Sequence, residues 1–218
     1  MNFISSILQD LLSILFSFTG DLGVAIVVVT LMVKLILMPL SMKQKLSMRK
    51  QQDMADKMSI LKEKYKNNPT ELEKQMQLHA TESMKSMLSC STLLLQMPIV
   101  FALYRTFSSM PQDFSSSIVP WINNLSMSDN LFIIPCIYTL IMLAPNLINY
   151  IPYFKTSSQV ALNKHMAIIT VVMSFILTAR TPVALGLYFI TSGAYALIED
   201  ICFRIYFKSK NKLALEYK

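Results

Sequence analysis

Residues 22–40 read LGVAIVVVTLMVKLILMPL, an apolar run interrupted by Thr30 and Lys34 and ending at Pro39. A bilayer span needs about 20 predominantly apolar residues, so this run is long enough to cross a membrane. Lipid offers no partner to backbone N–H and C=O groups, which makes the run a helix rather than an open strand. Pro39 is expected to close it, because proline removes an intrahelical hydrogen bond. Directly beyond, the chain changes character. Residues 43–85 hold half of the protein's 20 Lys and Arg residues and form its only long hydrophilic stretch.

Working outward, four more apolar segments follow, at 88–107, 131–151, 166–179 and 182–207. The predicted organisation is an N-terminal helix (1–19), a first span (20–41), a hydrophilic hairpin (42–87) and a second span (88–108). A loop (109–130), a third span (131–151), a short loop (152–164), a fourth span (165–180), a fifth (181–207) and a basic tail (208–218) complete it. The fourth span is short, which suits a thin bilayer or a helix buried among its neighbours. The fold class expected is an all-α integral membrane protein, a five-transmembrane-helix bundle.

Composition agrees. Of 218 residues 53% are hydrophobic and 15% charged, where a soluble domain carries about a quarter charged. Mean hydropathy is +0.45. Sixteen methionines supply flexible, polarisable side chains suited to core filling or to varied apolar partners. The net charge of +7 could serve nucleic acid, but enrichment of Lys and Arg in cytoplasmic loops explains its clustering more simply. That bias predicts an outside N-terminus, a cytoplasmic 42–87 hairpin and a cytoplasmic C-terminus. Residues 108–130 lack Lys and Arg and contain Asp113 and Asp129, as an outer loop should.

The first 19 residues place Ile4, Leu8, Leu11 or Leu12, Leu15 and Phe18 on one helical face and Ser6, Gln9, Asp10, Ser13 and Ser17 on the other. No positive charge precedes the run, as a signal peptide would want. The expectation is an amphipathic helix lying in the membrane interface. In the hairpin, Met54, Met58, Leu61 and Tyr65 form one stripe, and Leu72, Met76, His79, Ser83 and Met87 a second. Asn68, Pro69 and Glu71 between them fit a helix start. Two antiparallel helices are predicted.

No catalytic constellation, metal-ligand spacing or cofactor loop stands out. Cys90, Cys136 and Cys202 are scattered, and His79 and His165 are far apart. Glu199 and Asp200 are expected to meet headgroups or the basic hairpin. Lys34 is the residue that needs a reason, since a Lys near a helix centre costs about 2.5–3.5 kcal/mol on translocon scales. It either snorkels to headgroups or faces a water-filled cavity. Thr30 is one turn away on the same face, Gln96 lies at a similar depth in the second span, and Asn146, Ser174 and Ser192 could lie at neighbouring depths. Each alone could simply bond a neighbouring helix. Together they suggest a polar concavity open to the cytoplasm.

Five stretches in order and spacing then resemble the YidC/Oxa1/Alb3 membrane insertases. They are GDLG (20–23) leading into TLMVKLILMPLSMKQKLSM (30–48), LKEKYKNNP (61–69), LLLQMPIVFALYRTF (93–107), PWINNLSMSDNLFIIP (120–135) and PVALGLYFITSGAYALIE (182–199). The match is to the bacterial YidC type without a large periplasmic domain. The resemblance implies a bacterial plasma-membrane location and a five-helix bundle with a groove open to the cytoplasm and to lipid. It also implies a groove cation, typically Arg in the family and Lys34 here, and a non-enzymatic role needing no cofactor. Substrate flanks would be held by Lys34, Thr30, Gln96, Asn146, Ser174 and Ser192. Their apolar segments would slide along Leu95, Ile99, Leu103, Tyr188 and Phe189, on the lipid side of the second and fifth spans. Met54, Met58, Leu61 and Tyr65 would capture incoming chains. The partners implied are newly made membrane proteins and the lipid bilayer, with the ribosome, the signal recognition particle pathway and the Sec translocon as suppliers. A small secondary transporter, a passive assembly scaffold and an intramembrane hydrolase are the competing classes, and no internal repeat supports the first.

Overall fold

The computed structural model describes residues 2–65, 100, 101, 103, 104, 115–148 and 164–216. Among these the chain is helical and carries no strand. In order the helices are α1 (Asn2–Thr19), α2 (Leu22–Lys64), α3 (Ile133–Ile148), α4 (Lys164–Ala179) and α5 (Val183–Glu216). Residues 100, 101, 103 and 104 are also helical. Among the described residues two stretches are long and apolar enough to cross a bilayer, Leu22–Gln51 in α2 and Val183–Tyr206 in α5. Those of α3 and α4 are shorter. The chain forms two compact units, residues 1–36 with 98–218 and residues 37–97. The core described below belongs to the first.

Three boundaries differ from expectation. Pro39 does not end its helix, which runs on to Lys64. Proline removes one intrahelical bond without necessarily ending the helix, and apolar helices tolerate it where the packed surroundings cover the freed carbonyl. Second, α5 continues past residue 207 to Glu216, so much of the expected tail is helix. Third, one face of α1 is covered by the protein itself. Leu8 and Leu12 are buried against Ile26, Val29, Leu103 and Tyr188, with Leu11 and Leu15 packed beside them. Amphipathicity reports an apolar face and not what covers it. Phe18, read on the same stripe, is 83% exposed, as are Ile7 and Ile14 to smaller degrees.

The reversal between α1 and α2 is local chemistry. Gly20 takes φ +66°, a left-handed conformation that glycine adopts without a Cβ clash. Its N–H returns to the Phe16 carbonyl (2.8 Å) and so caps α1. Asp21 then starts α2: its Oδ1 accepts from the amides of Gly23 (2.8 Å) and Val24 (3.2 Å).

One loop, residues 115–132, fastens the starts of α2, α3 and α5. The Ser116 hydroxyl and the Ser117 amide both donate to the Asp21 carboxylate at 2.6 Å. A Cβ on Gly23 would collide with the Ser116 hydroxyl, so the approach needs glycine. Asp129, 2% exposed, accepts from the Leu131 amide (3.0 Å) and the Ile134 amide (2.8 Å), capping α3. The Met127 and Leu125 carbonyls accept from the first two amides of α5, Val183 (2.9 Å) and Ala184 (3.0 Å). The next two, Leu185 and Gly186, are taken by Pro182. Every donor that a helix start leaves without an internal partner is thereby satisfied in α5. Below the loop α3 packs on both α4 and α5, close enough that a Cβ at Gly186 would collide with Ile134 Cγ2.

Burial alone would raise the Asp21 carboxyl, but the bonds from Ser116, Ser117 and Val24 outweigh it and hold the pKa at about 2, below the ordinary 3.8. A depressed carboxylate stabilises fully above its unfolded value and loses that contribution as pH falls through the folded one. Asp21→Asn should therefore lower the unfolding temperature in detergent at neutral pH. The gap from wild type should close as pH drops from about 4 to about 2. Asp129→Ala should cost about 1–2 kcal/mol in the same measurement, the usual loss for an N-cap.

Candidate functional site

On α5, Tyr188, Ser192, Tyr195 and Glu199 recur at steps of four, three and four residues. That spacing puts them on one face, spread over about 16 Å of helix at 1.5 Å per residue. Tyr188 is 3% exposed and meets α2: it shares with Thr30, Val33 and Leu103 the wall of a void of about 10 Å³. A void of that size is at the lower limit for a single water, so these side chains pack with almost no space between them. Tyr188 is hydrogen-bonded to Ser192 one turn on.

Lys34 lies one turn beyond Thr30 on α2 and is half-buried. On α5, Tyr195 is half-buried. Glu199, expected at headgroups or the basic hairpin, is 8% exposed. Its neighbour Asp200 points elsewhere, accepting from Arg204 Nε at 2.7 Å. The structure brings Thr30 to Tyr188, and the face of α5 that carries Tyr188 and Ser192 continues with two residues that sequence reasoning left out, Tyr195 and Glu199. The signal was available, since both continue the polar spacing of Tyr188 and Ser192.

The remaining expected groups fall differently. The Thr30 hydroxyl donates to the Ile26 carbonyl (2.6 Å), and that of Ser174 to the Thr170 carbonyl. Both are satisfied within their own helices, a common fate of hydroxyls in apolar helices. Asn146 is half-buried in α3. Of the lipid-side candidates, Leu103 and Tyr188 are each 3% exposed and belong to the core. An apolar stripe is the same whether protein or lipid covers it, and here α1 does. Phe189 is half-buried, its ring 5.5 Å from that of Tyr138. Gln96, Leu95 and Ile99 lie outside the described residues, as does the second hairpin arm. Met54, Met58, Leu61 and Tyr65 are half-buried along the end of α2, with Lys64 Nζ 5.6 Å from the Tyr65 ring. A larger cavity, about 180 Å³, lies in the 115–132 loop against Trp121, Asn124, Met127 and Asp129. Its one carboxylate is committed to capping α3.

An all-helical protein with apolar spans and a charge held inside them defines a class of polytopic membrane proteins. Comparison with known proteins narrows it: residues 14–211 match the 60Kd inner membrane protein family, and the chain belongs to that family, YidC/Oxa1. A membrane protein insertase YidC from Campylobacter jejuni is 31% identical over 212 residues, 96% of this chain and 39% of the relative. One from Aquifex aeolicus is 31% identical over 200 residues, 91% of this chain and 38% of the relative. One from Wolinella succinogenes reaches 43% over 126 residues, 57% of this chain and 24% of the relative. The chain spans well under half the length of these curated relatives.

These contacts separate two kinds of polar residue. Thr30→Val removes a hydroxyl that serves only its own helix and should leave thermal stability nearly unchanged. Tyr188→Ala empties a packed core position and should cost about 3–5 kcal/mol, as large aromatic truncations do. Equal effects would show that the packing around Tyr188 has been misread.

Proposed function

We propose that the chain is a membrane protein insertase, as its relatives are named, and that it works without enzymatic chemistry. One observation carries the reading: Lys34 stands half-buried in an apolar helix, one turn beyond the level at which Thr30 meets Tyr188 of α5. The core around Tyr188 and Thr30 closes the groove toward the 115–132 loop, and the polar groups continue from there toward the basic side of the chain.

By this reading the protein is a five-span bundle of the bacterial cell membrane. Its N-terminus and the 109–130 loop are outside, and its 42–87 hairpin and C-terminus are cytoplasmic. The second span runs through residues 88–108. A substrate's polar flank, often bearing Asp or Glu, enters from the cytoplasm and is held by Lys34 with Gln96, Ser192 and their neighbours. This lowers the cost of carrying polar atoms into hydrocarbon. The apolar segment moves into lipid beside the second and fifth spans, past Leu95, Ile99 and Phe189. That transfer is downhill, so no nucleotide is required. Met54, Met58, Leu61 and Tyr65 capture incoming chains, delivered by the ribosome, the signal recognition particle pathway or the Sec translocon.

The test is insertion of a single-spanning protein with an acidic N-tail into liposomes carrying wild type, Lys34→Arg or Lys34→Ala. An unaided carboxylate at the membrane centre costs about 2.5–3.5 kcal/mol. Lys34→Ala should therefore reduce insertion on the order of tenfold or more, and Lys34→Arg should preserve it. Equal insertion by all three would remove the charge from the mechanism. Survival of activity without Lys34 is what a passive scaffold would show.

A further inference from the structure

The 115–132 loop carries an outer surface that its capping role leaves unexplained. Val119 and Leu125 are buried beneath it, yet Ile118, Trp121, Met127, Leu131 and Phe132 are all exposed, Met127 by 60% and Leu131 by 62%. Uncharged Ser and Asn side chains stand among them, and the loop has no Lys or Arg. Its one acidic group, Asp129, is buried as the cap of α3. Phe132 stands at φ +55°, a left-handed conformation that a bulky residue adopts only at a cost, with its ring stacked on Phe175 of α4 at 5.9 Å. Water gives no return on an apolar surface held out in this way.

Three further observations say what covers it. The loop is bonded directly to the beginnings of both long apolar stretches. The Met127 carbonyl accepts from Val183, the first residue of the stretch in α5, and Ser116 and Ser117 hold Asp21, next to Leu22 of α2. Where those stretches enter hydrocarbon, the loop is at its edge. Next, the amides of Ile118, Val119, Ile122, Met127, Leu131 and Phe132 all donate within the loop itself. A backbone satisfied internally can leave water without penalty. Finally, Arg180 is exposed in the turn that leads into α5, and a long cation at that end suits headgroups. Trp and aliphatic groups interleaved with uncharged polar ones fit the boundary between headgroups and acyl chains. Lipid accounts for all three observations, whereas a protein partner would account for the apolar surface alone.

We propose that the 115–132 loop lies in the membrane interface as a lipid anchor, with Trp121, Met127, Leu131 and Phe132 set among the headgroup ends of the acyl chains, and that it fixes the depth of α2 and α5. Lys34 follows the start of α2 by about 18 Å of helix at 1.5 Å per residue. In a hydrocarbon core of about 30 Å the anchor therefore holds that cation in the half of the bilayer away from the loop. The inference needs only that the chain spans a membrane, and it is independent of the insertase reading.

Trp121 is the single tryptophan of the chain, so the tryptophan fluorescence of the unaltered full-length protein reads this loop alone. The protein is placed in phosphatidylcholine nanodiscs whose acyl chains carry bromine near the headgroup, bromine near the chain end, or none, and iodide is added to the water. Bromine near the headgroup should remove most of the emission, bromine at the chain end should remove less, and iodide should remove little. Trp121→Phe combined with Met127→Trp, or with Leu131→Trp, moves the reporter along the loop without adding charge, and each should show the same order. Strong iodide quenching with no effect of brominated lipid would put the loop in water and overturn the proposal. Protection from both quenchers would mean that protein covers the ring, which overturns it equally. A loss greatest with bromine at the chain end would place the loop within the hydrocarbon and refute the interfacial depth. Quenching by lipid confined to Trp121, with iodide reaching positions 127 and 131, would overturn the anchoring of the loop as a whole. No arm reads insertion, so failure of the anchor and failure of the insertase reading are distinguishable.

Discussion

Helices that begin inside or beside a bilayer leave four amide donors each with nowhere to turn, and the structure answers that constraint with a single loop. Residues 115–132 supply two serine donors to the Asp21 cap, hold the Asp129 carboxylate against α3, and offer two carbonyls to α5. Three helix starts are tied to one another through backbone and short side chains, which have little freedom to lose. The alignment of α2 with α5 follows from this, and with it the meeting of Thr30 and Tyr188. The polar face beyond them inherits its position from the loop.

Packing then makes the bundle asymmetric along its length. Near the loop, Leu8, Leu12, Ile26, Val29, Leu103 and Tyr188 leave almost no empty space. Hydroxyls at this level turn back on their own helices, so they add no surface polarity. Further along, α2 and α5 offer Lys34, Ser192, Tyr195 and Glu199, which helix carbonyls alone cannot satisfy in the same way. A charge in such a place is tolerable beside an opposite charge or water.

Much of this was legible in the residues. Apolar runs at 22–40 and 182–207 and the family resemblance of five ordered stretches pointed to the right class. Lys34 was conspicuous because its cost in lipid is large wherever the helix turns. The misplacements have one cause. Leu103, Tyr188 and the Leu8–Leu12 edge of α1 were read as lipid-facing, although their periodicity was correctly seen. Lipid and protein core are equally apolar, so a hydrophobic stripe carries no record of which one covers it. Pro39 was ambiguous for a related reason, since its effect on a helix depends on whether neighbouring groups cover the one carbonyl that it leaves without an N–H.

Sequence by itself determined the helical apolar character, the segregation of positive charge into residues 43–85, and the presence of a cation that demands a partner. These are properties of single residues and short periods, and they hold in any arrangement of the chain. Tertiary structure alone decided that one loop caps three helices, that α1 packs onto the core, and that Thr30 meets Tyr188. Each of those depends on distances between residues far apart in the chain. Only the packed bundle sets such distances, because it turns one face of each helix toward a particular neighbour.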